Sequence, residues 1–117
     1  LAEQTLFYIW QFGLEDHCVY SSIKFEPLAD VRVLSDRVFI HHIFSSEDNI
    51  PRLAEAGYAG MSFKISELDD VPDGLIERVH SAGLRICFRA ADTPEAMRRA
   101  ILMGCDYVPS NRVNWTR

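Results

Sequence analysis

Four cations and three polar residues stand at the ends of short apolar runs, where a side chain could reach a bound molecule. Lys24, Lys64 and Arg89 each close such a run, Arg112 follows another beside Asn111, and Ser22 and His42 occupy equivalent points. A lysine or arginine fixed there could neutralise an anionic group such as a phosphate. The plainer reading makes Lys24 and Lys64 solvated loop residues and Arg89 a partner of Asp92. His41 and His42 look like a pair, but adjacent residues of a strand point to opposite faces, so without a bulge at most one faces a shared interior. No carboxylate at metal-ligand spacing accompanies them, which reads both as structural histidines. His17 and His80 read as loop and helix-surface residues. Ser21-Ser22 lacks the G-x-S-x-G elbow that makes a serine nucleophilic. No residue of this sequence is assigned a catalytic or metal-binding role.

Positioning those residues falls to a repeated helix-to-strand pattern. Gly13, Gly57, Gly83 and Gly104 each follow an apolar stripe at helical spacing, and glycine just past a helix end can adopt the left-handed conformation at little steric cost. Strand-like runs follow at Cys18 to Ile23, Met61 to Ile65, Leu84 to Phe88 and Asp106 to Val108, with a fifth at Val38 to Phe44. The stripes are Leu6, Ile9 and Trp10; Ile50, Leu53 and Ala54; Leu75, Ile76 and Val79; and Met97, Ala100 and Ile101. Phe25, Leu28 and Val31 predict a further helix, with Pro27 in its first turn. Thr93 is the expected cap of the last helix, with Pro94 at its first position and Glu95 complementing its dipole. Ser46, Glu47 and Asp48 offer a cap and an acidic first turn to the helix before Gly57. Helices alternating with strands at this spacing imply βαβ crossovers and a mainly parallel sheet, either doubly wound or an arc of a barrel. No Gly-rich phosphate loop follows a strand, which lowers the weight of the nucleotide-binding open sheets.

The 117 residues, 48% hydrophobic and 25% charged, have the composition of one ordinary globular domain over residues 1–117. The net charge of −5 argues against a nucleic-acid or anionic-membrane surface. Arg98 and Arg99, the nearest approach to a basic cluster, read as a solvated helix face. The apolar run from Leu6 to Trp10 is far short of the about 20 residues that span a bilayer, and no signal segment opens the sequence. Cys18, Cys87 and Cys105 are widely spaced among apolar residues, the pattern of buried reduced thiols, which favours a cytoplasmic setting. Leu1 in place of methionine reads as a chain that has been processed, that is a piece of a longer one, or that lacks a disordered beginning.

Three blocks carry a resemblance. Gly83-Leu84-Arg85-Ile86, then Asp92-Thr93-Pro94-Glu95-Ala96-Met97, then Gly104-Cys105-Asp106-Tyr107-Val108 resemble the closing strands of glycerophosphodiester phosphodiesterases, which read G-L-x-V-x-x-W-T-V-N-D-P-E-E-M and then G-V-D-G-I-I-T-D-R-P. Gly13-Leu14-Glu15-Asp16 with Val19-Tyr20-Ser21-Ser22 and Leu28 is similar to the family's strand ending in S-S-F and its following helix. The implied fold is a (β/α)8 TIM-type barrel, of which the chain holds about the last five strands, since a complete barrel takes about 250 residues. The sequence departs from the family where Arg89 replaces tryptophan, Ala90 threonine, Asp92 asparagine and Ile23 the aromatic of S-S-F. Ser110-Asn111-Arg112-Val113 replaces T-D-R-P.

The resemblance implies metal-assisted hydrolysis of a phosphodiester. A divalent cation, calcium or magnesium, held by carboxylates would polarise the phosphoryl group, and two histidines would act as general base and acid. The family's H-R-G and E-I-K motifs are absent here, so this segment is expected to form the far wall of the pocket and to bind no cation alone. Ser22, Lys24, His42, Lys64, Arg89, Asn111 and Arg112, at strand ends, are the expected substrate-facing residues. The expected partners are a phosphodiester small molecule and the missing N-terminal strands or another chain completing the barrel, with neither nucleic acid nor a transmembrane segment. Alternatives are an inactive relative serving as a binding or scaffold domain, and an unrelated open α/β binding domain. Unpaired strand edges predict that the chain alone forms a homo-oligomer, aggregates or requires a partner.

Overall fold

The computed structural model describes residues 2–63, 68–88 and 92–109. Its elements alternate as read from the sequence: α1 (Ala2–Gln11), β1 (Val19–Ser22), α2 (Phe25–Leu34), β2 (Phe39–Ser45), α3 (Ile50–Glu55), β3 (Gly60–Phe63), α4 (Leu75–Ser81), β4 (Arg85–Phe88) and α5 (Pro94–Met103). Gly13, Gly57, Gly83 and Gly104 all have positive φ, as their places after helices require. The Thr93 hydroxyl accepts the Ala96 N–H at 3.1 Å, capping α5. Ser46 differs from expectation. It makes no cap bond to the 3-10 turn Glu47–Asn49 that leads into α3, and its hydroxyl instead receives the Asn49 side-chain amide.

The four strands are all parallel and lie in the order β1-β2-β3-β4. Sequential order decides between the two architectures that periodicity leaves open. A doubly wound sheet reverses its strand order at a switch point, whereas an arc of a barrel adds each strand beside the last. The thickness agrees. The chain measures 39 × 39 × 20 Å, and its short dimension accommodates one sheet and one helix layer, each about 10 Å deep, with no room for helices on both faces. The chain therefore has the fold of part of a (β/α) barrel. The expected fifth strand, Asp106 to Val108, is present as one parallel bridge between Cys87 and Tyr107.

Period-2 alternation sorts the strand side chains into two sets. Ile40, Met61, Phe63, Ile86 and Phe88 turn toward the helices and pack with Leu28 and Val31 of α2, Leu53 of α3, and Leu75, Ile76 and Val79 of α4. Burying one such leucine or valine fully stabilises by about 1.5–3 kcal/mol relative to leaving it exposed. The core thus lies between sheet and helices, and the other set of side chains faces the concave side.

α2 is tied down by Arg32, whose guanidinium donates to the Ser35, Val38 and Gly57 carbonyls. These bonds fix the loops entering β2 and β3 at the N-terminal end of the sheet.

Candidate functional site

Strand register builds the concave surface layer by layer. Ser21, His41, Gly60 and Arg85 are successive Cα partners across β1 to β4. One step further along the strands lie Ser62, Cys87 and Tyr107, again partners. Together with Val19, Ile43 and Pro109, five of these residues (Ser21, His41, Ser62, Cys87 and Tyr107) line a mainly apolar cavity of about 320 Å3.

Gly60 is what admits the His41 ring. A Cβ at Gly60 would lie 2.6 Å from the Arg85 carbonyl oxygen and 2.8 Å from His41 Cε1, so the imidazole rests over a position that only glycine leaves open. The ring meets Tyr107 edge-on, with centroids 5.1 Å apart. Tyr107 in turn accepts a hydrogen bond from Arg85 Nη1 at 2.9 Å, and that bond holds the guanidinium pKa up. His41 is 6% exposed, and its Nε2 is buried without a hydrogen-bond partner. Burial first, and then the charge of Arg85, pull its pKa down to about 4. The ring is therefore neutral near pH 7, with one N–H and one bare nitrogen, and is not an imidazolium acid. Burial pushes the Cys87 thiol up to about 11, so it too is a poor nucleophile at neutral pH.

His42 points the other way. Its Nε2 donates to the Ile23 carbonyl at 2.8 Å, and its ring stacks on Phe25 with centroids 4.0 Å apart and planes 20° from parallel. The Arg52 guanidinium carbon lies 3.6 Å from the Phe25 centroid. Two groups so close to one ring centre must occupy opposite faces, giving a stack of imidazole, phenyl and guanidinium beneath the β1–α2 loop. With Nε2 donating, Nδ1 is the bare nitrogen, and it is buried without a partner. Burial is the main influence lowering the His42 pKa, opposed by the bond to Ile23 and reinforced by Arg52.

The other expected contact residues distribute unevenly. Ser22 ends β1 and accepts the Lys24 N–H at 3.1 Å, while Lys24 is exposed at the N-cap position of α2. These two share the C-terminal rim of the sheet, the end at which barrel enzymes place their sites. His42 supports that rim from the helix side, because in the straight part of β2 its side chain alternates with His41. Lys64, Arg89, Asn111 and Arg112 lie outside the described residues. Sequence reasoning missed His41, Ser21, Ser62 and Cys87 as cavity residues. The signal was the strand period itself, counted from the residues that enter the core.

β2 carries one further irregularity. His42 pairs with Met61 but Ser45 pairs with Phe63, so β2 spends one extra residue between two β3 positions. Phe44 sits in that bulge with φ +54°, and its N–H donates to the Ser62 hydroxyl at 3.3 Å. A bulge re-aims the side chains beyond it, and bulges gather beside functional sites.

Among the described residues no three His, Cys, Asp or Glu side chains cluster as metal ligands. The cavity presents imidazole, hydroxyl and thiol groups but no carboxylate, which does not suit a hard divalent cation. No step through a cation follows from these residues.

No protein-family model matches the sequence, and no curated protein matches it. Several solved structures do share its fold. One, provisionally named a glycerophosphoryl diester phosphodiesterase, from Silicibacter pomeroyi DSS-3, superposes with a TM-score of 0.77 at 18% identity over 95% of this chain and 40% of its own. A second, provisionally named a glycerophosphodiester phosphodiesterase, from Galdieria sulphuraria, gives 0.78 at 18% identity over 94% and 46%. A glycerophosphodiester phosphodiesterase from Parabacteroides distasonis ATCC 8503 gives 0.76 at 18% identity over 94% and 45%. At that identity the likeness is one of fold. The chain has the fold of part of a glycerophosphodiester phosphodiesterase-like barrel and spans less than half the length of each of these structures.

Proposed function

We propose that this chain is the closing part of a metal-dependent phosphodiester hydrolase that acts on glycerophosphodiesters, in phospholipid head-group metabolism. The observation that carries the reading is the coincidence of nearly the whole chain with the barrels of three phosphodiesterases, on the same segments whose motifs resemble that family. In this reading the cation, calcium or magnesium, and its acid–base groups belong to strands outside these 117 residues, and the cation supplies charge neutralisation at the phosphoryl group when bound. This chain supplies one wall of the pocket. Ser22 and Lys24 stand on its rim, with the lysine available to a phosphate oxygen, and Lys64, Arg89, Asn111 and Arg112 follow the later strands as further polar contacts.

No helix among the described residues is long and apolar enough to cross a membrane. All three cysteines are unpaired, and we infer from them a cytoplasmic setting.

The test is hydrolysis of glycerophosphodiesters by the natural protein, with and without a chelator. Release of glycerol phosphate that stops on chelation and returns with calcium or magnesium supports the proposal. A folded protein that binds glycerophosphodiesters without cleaving them would replace it with the inactive binding domain, a reading motivated by the departures from the family pattern at Arg89, Asp92 and Asn111.

A further inference from the structure

Helices α1 and α2 lie side by side in the helix layer and leave a groove between them. At one end Phe7 and Trp10 of α1 face Leu34 and the turn that follows it, across a cleft of about 420 Å3. At the other, Ala2 and Glu3 face Asp30 and Val33 across a cleft of about 350 Å3, and Leu34 lines both. The lining residues of α1 recur at helical spacing, so they form one flank of that helix. Its apolar members are uncovered, with Trp10 67% and Val33 86% exposed. A contiguous apolar surface of this kind marks an interaction site. The charge around it has one sign. Glu3, Asp30 and Asp36 are exposed carboxylates with no ion-pair partner among the described residues, whereas Arg37 in the same lining is already paired with Glu15 at 3.1 Å.

We propose that the groove between α1 and α2 is a docking site for a basic amphipathic helix of another protein. A helix packs by seating a ridge of its side chains in the groove between others, and an apolar stripe with cationic flanks matches both the exposed apolar side chains and the carboxylates at the two ends. The ten residues of α1 span about 15 Å, so the groove takes about three turns of a partner helix. Lysines or arginines flanking the stripe reach Glu3 and Asp30 at one end and Asp36 at the other. The same carboxylates repel an anionic membrane or a nucleic acid. A second copy of this chain is a poorer occupant, because its net charge of −5 has the sign of the groove. The groove is bounded by two successive helices, and Gln4 and Tyr8 take the flank of α1 away from α2. A strand added beside β1 therefore leaves it open.

Fluorescence anisotropy on the natural full-length protein tests this with three labelled peptides of about 14 residues, four turns of helix. The first carries leucine at i, i+3, i+4 and i+7 with lysine on both flanks. The second has glutamate in place of every lysine, and the third keeps the composition of the first with its leucine spacing scrambled. The expected result is saturable binding of the first peptide, weakened by added salt, with roughly tenfold weaker binding of the other two. Val33→Lys and Asp30→Lys, both at exposed positions, should each weaken that binding severalfold and leave the melting temperature unchanged, while Ile101→Lys on α5 leaves the binding as it was. Absence of saturable binding overturns the proposal. So does equal affinity for the glutamate or scrambled peptide, and so does a Val33→Lys protein that binds like the parent. Self-association of the natural protein that Val33→Lys abolishes would assign the groove to a second copy instead. The readout is binding alone, so it stands or falls separately from the hydrolysis of phosphodiesters.

Discussion

His41 and His42 are neighbours in sequence with no shared task. His42 holds the β1–α2 loop through the Ile23 carbonyl, and His41 lies neutral on the concave face over Gly60. The unfolded chain protonates a histidine near pH 6.5, whereas folded His41 resists protonation until about 4. Between those values the unfolded state binds more protons, so stability rises with pH there and is lost as pH falls from 6.5 toward 4. His41→Leu removes that difference. Urea midpoints at pH 7 and pH 4.5 are expected to converge in the variant relative to the parent, and an unchanged gap would show that His41 is not the titrating group. The sequence made it legible that only one of the two histidines could face an interior. Which one depends on the parity of β2 against the core residue Ile40, and that parity is fixed by tertiary packing. The extra residue at Phe44 was invisible because Phe39-Ile40-His41-His42-Ile43-Phe44 has no regular apolar–polar alternation for a bulge to interrupt.

At the scale of elements, the last strand shows how little hydrogen bonding can hold a segment in register. The Asp106 N–H donates to the Ile86 carbonyl at 3.0 Å. Its carboxylate accepts the Ile86 N–H at 2.8 Å and His80 Nε2 at 2.8 Å. The side chain replaces a ladder bond and ties α4, β4 and the final segment together. Burial opposes the Asp106 charge, but the bonds from His80 and Ile86 outweigh it and hold the pKa below the usual carboxylate range. Its contribution to stability is thus present above the unfolded value of about 3.9 and is lost as pH falls through the lower folded value. Asp106→Ala leaves the Ile86 N–H without this partner, and a loss of about 1–3 kcal/mol is expected in urea unfolding at pH 7. Asp106→Asn, which keeps an acceptor, should lose less. The sequence reading treated His80 as a surface residue, which it is, and placed Asp106 in a strand without seeing the tie. Helix order and the glycine stops were legible because they are local signals, whereas this bond joins residues 20 positions apart.

At the scale of the whole molecule, a parallel arc has a problem that a closed barrel lacks. Each edge strand carries backbone donors and acceptors on one side with no strand to meet them, and such edges recruit other chains. The chain also exposes aromatic rings on α1, so apolar burial adds to edge hydrogen bonding in favouring association. The net charge of −5 opposes association only weakly at moderate salt, because screening acts within about 8–10 Å. Residues 1–117 prepared alone are therefore expected to self-associate as concentration rises in sedimentation velocity. A positive charge on the edge together with a negative one on the rings, Val19→Lys with Trp10→Glu, should shift them toward monomer, since both positions are exposed and neither substitution enters the core. Ile101→Lys on α5, exposed at the far side of the arc, should leave the association unchanged. If the unsubstituted chain stays monomeric throughout and melts cooperatively, its edges are satisfied within the 117 residues, and the arc is a complete domain.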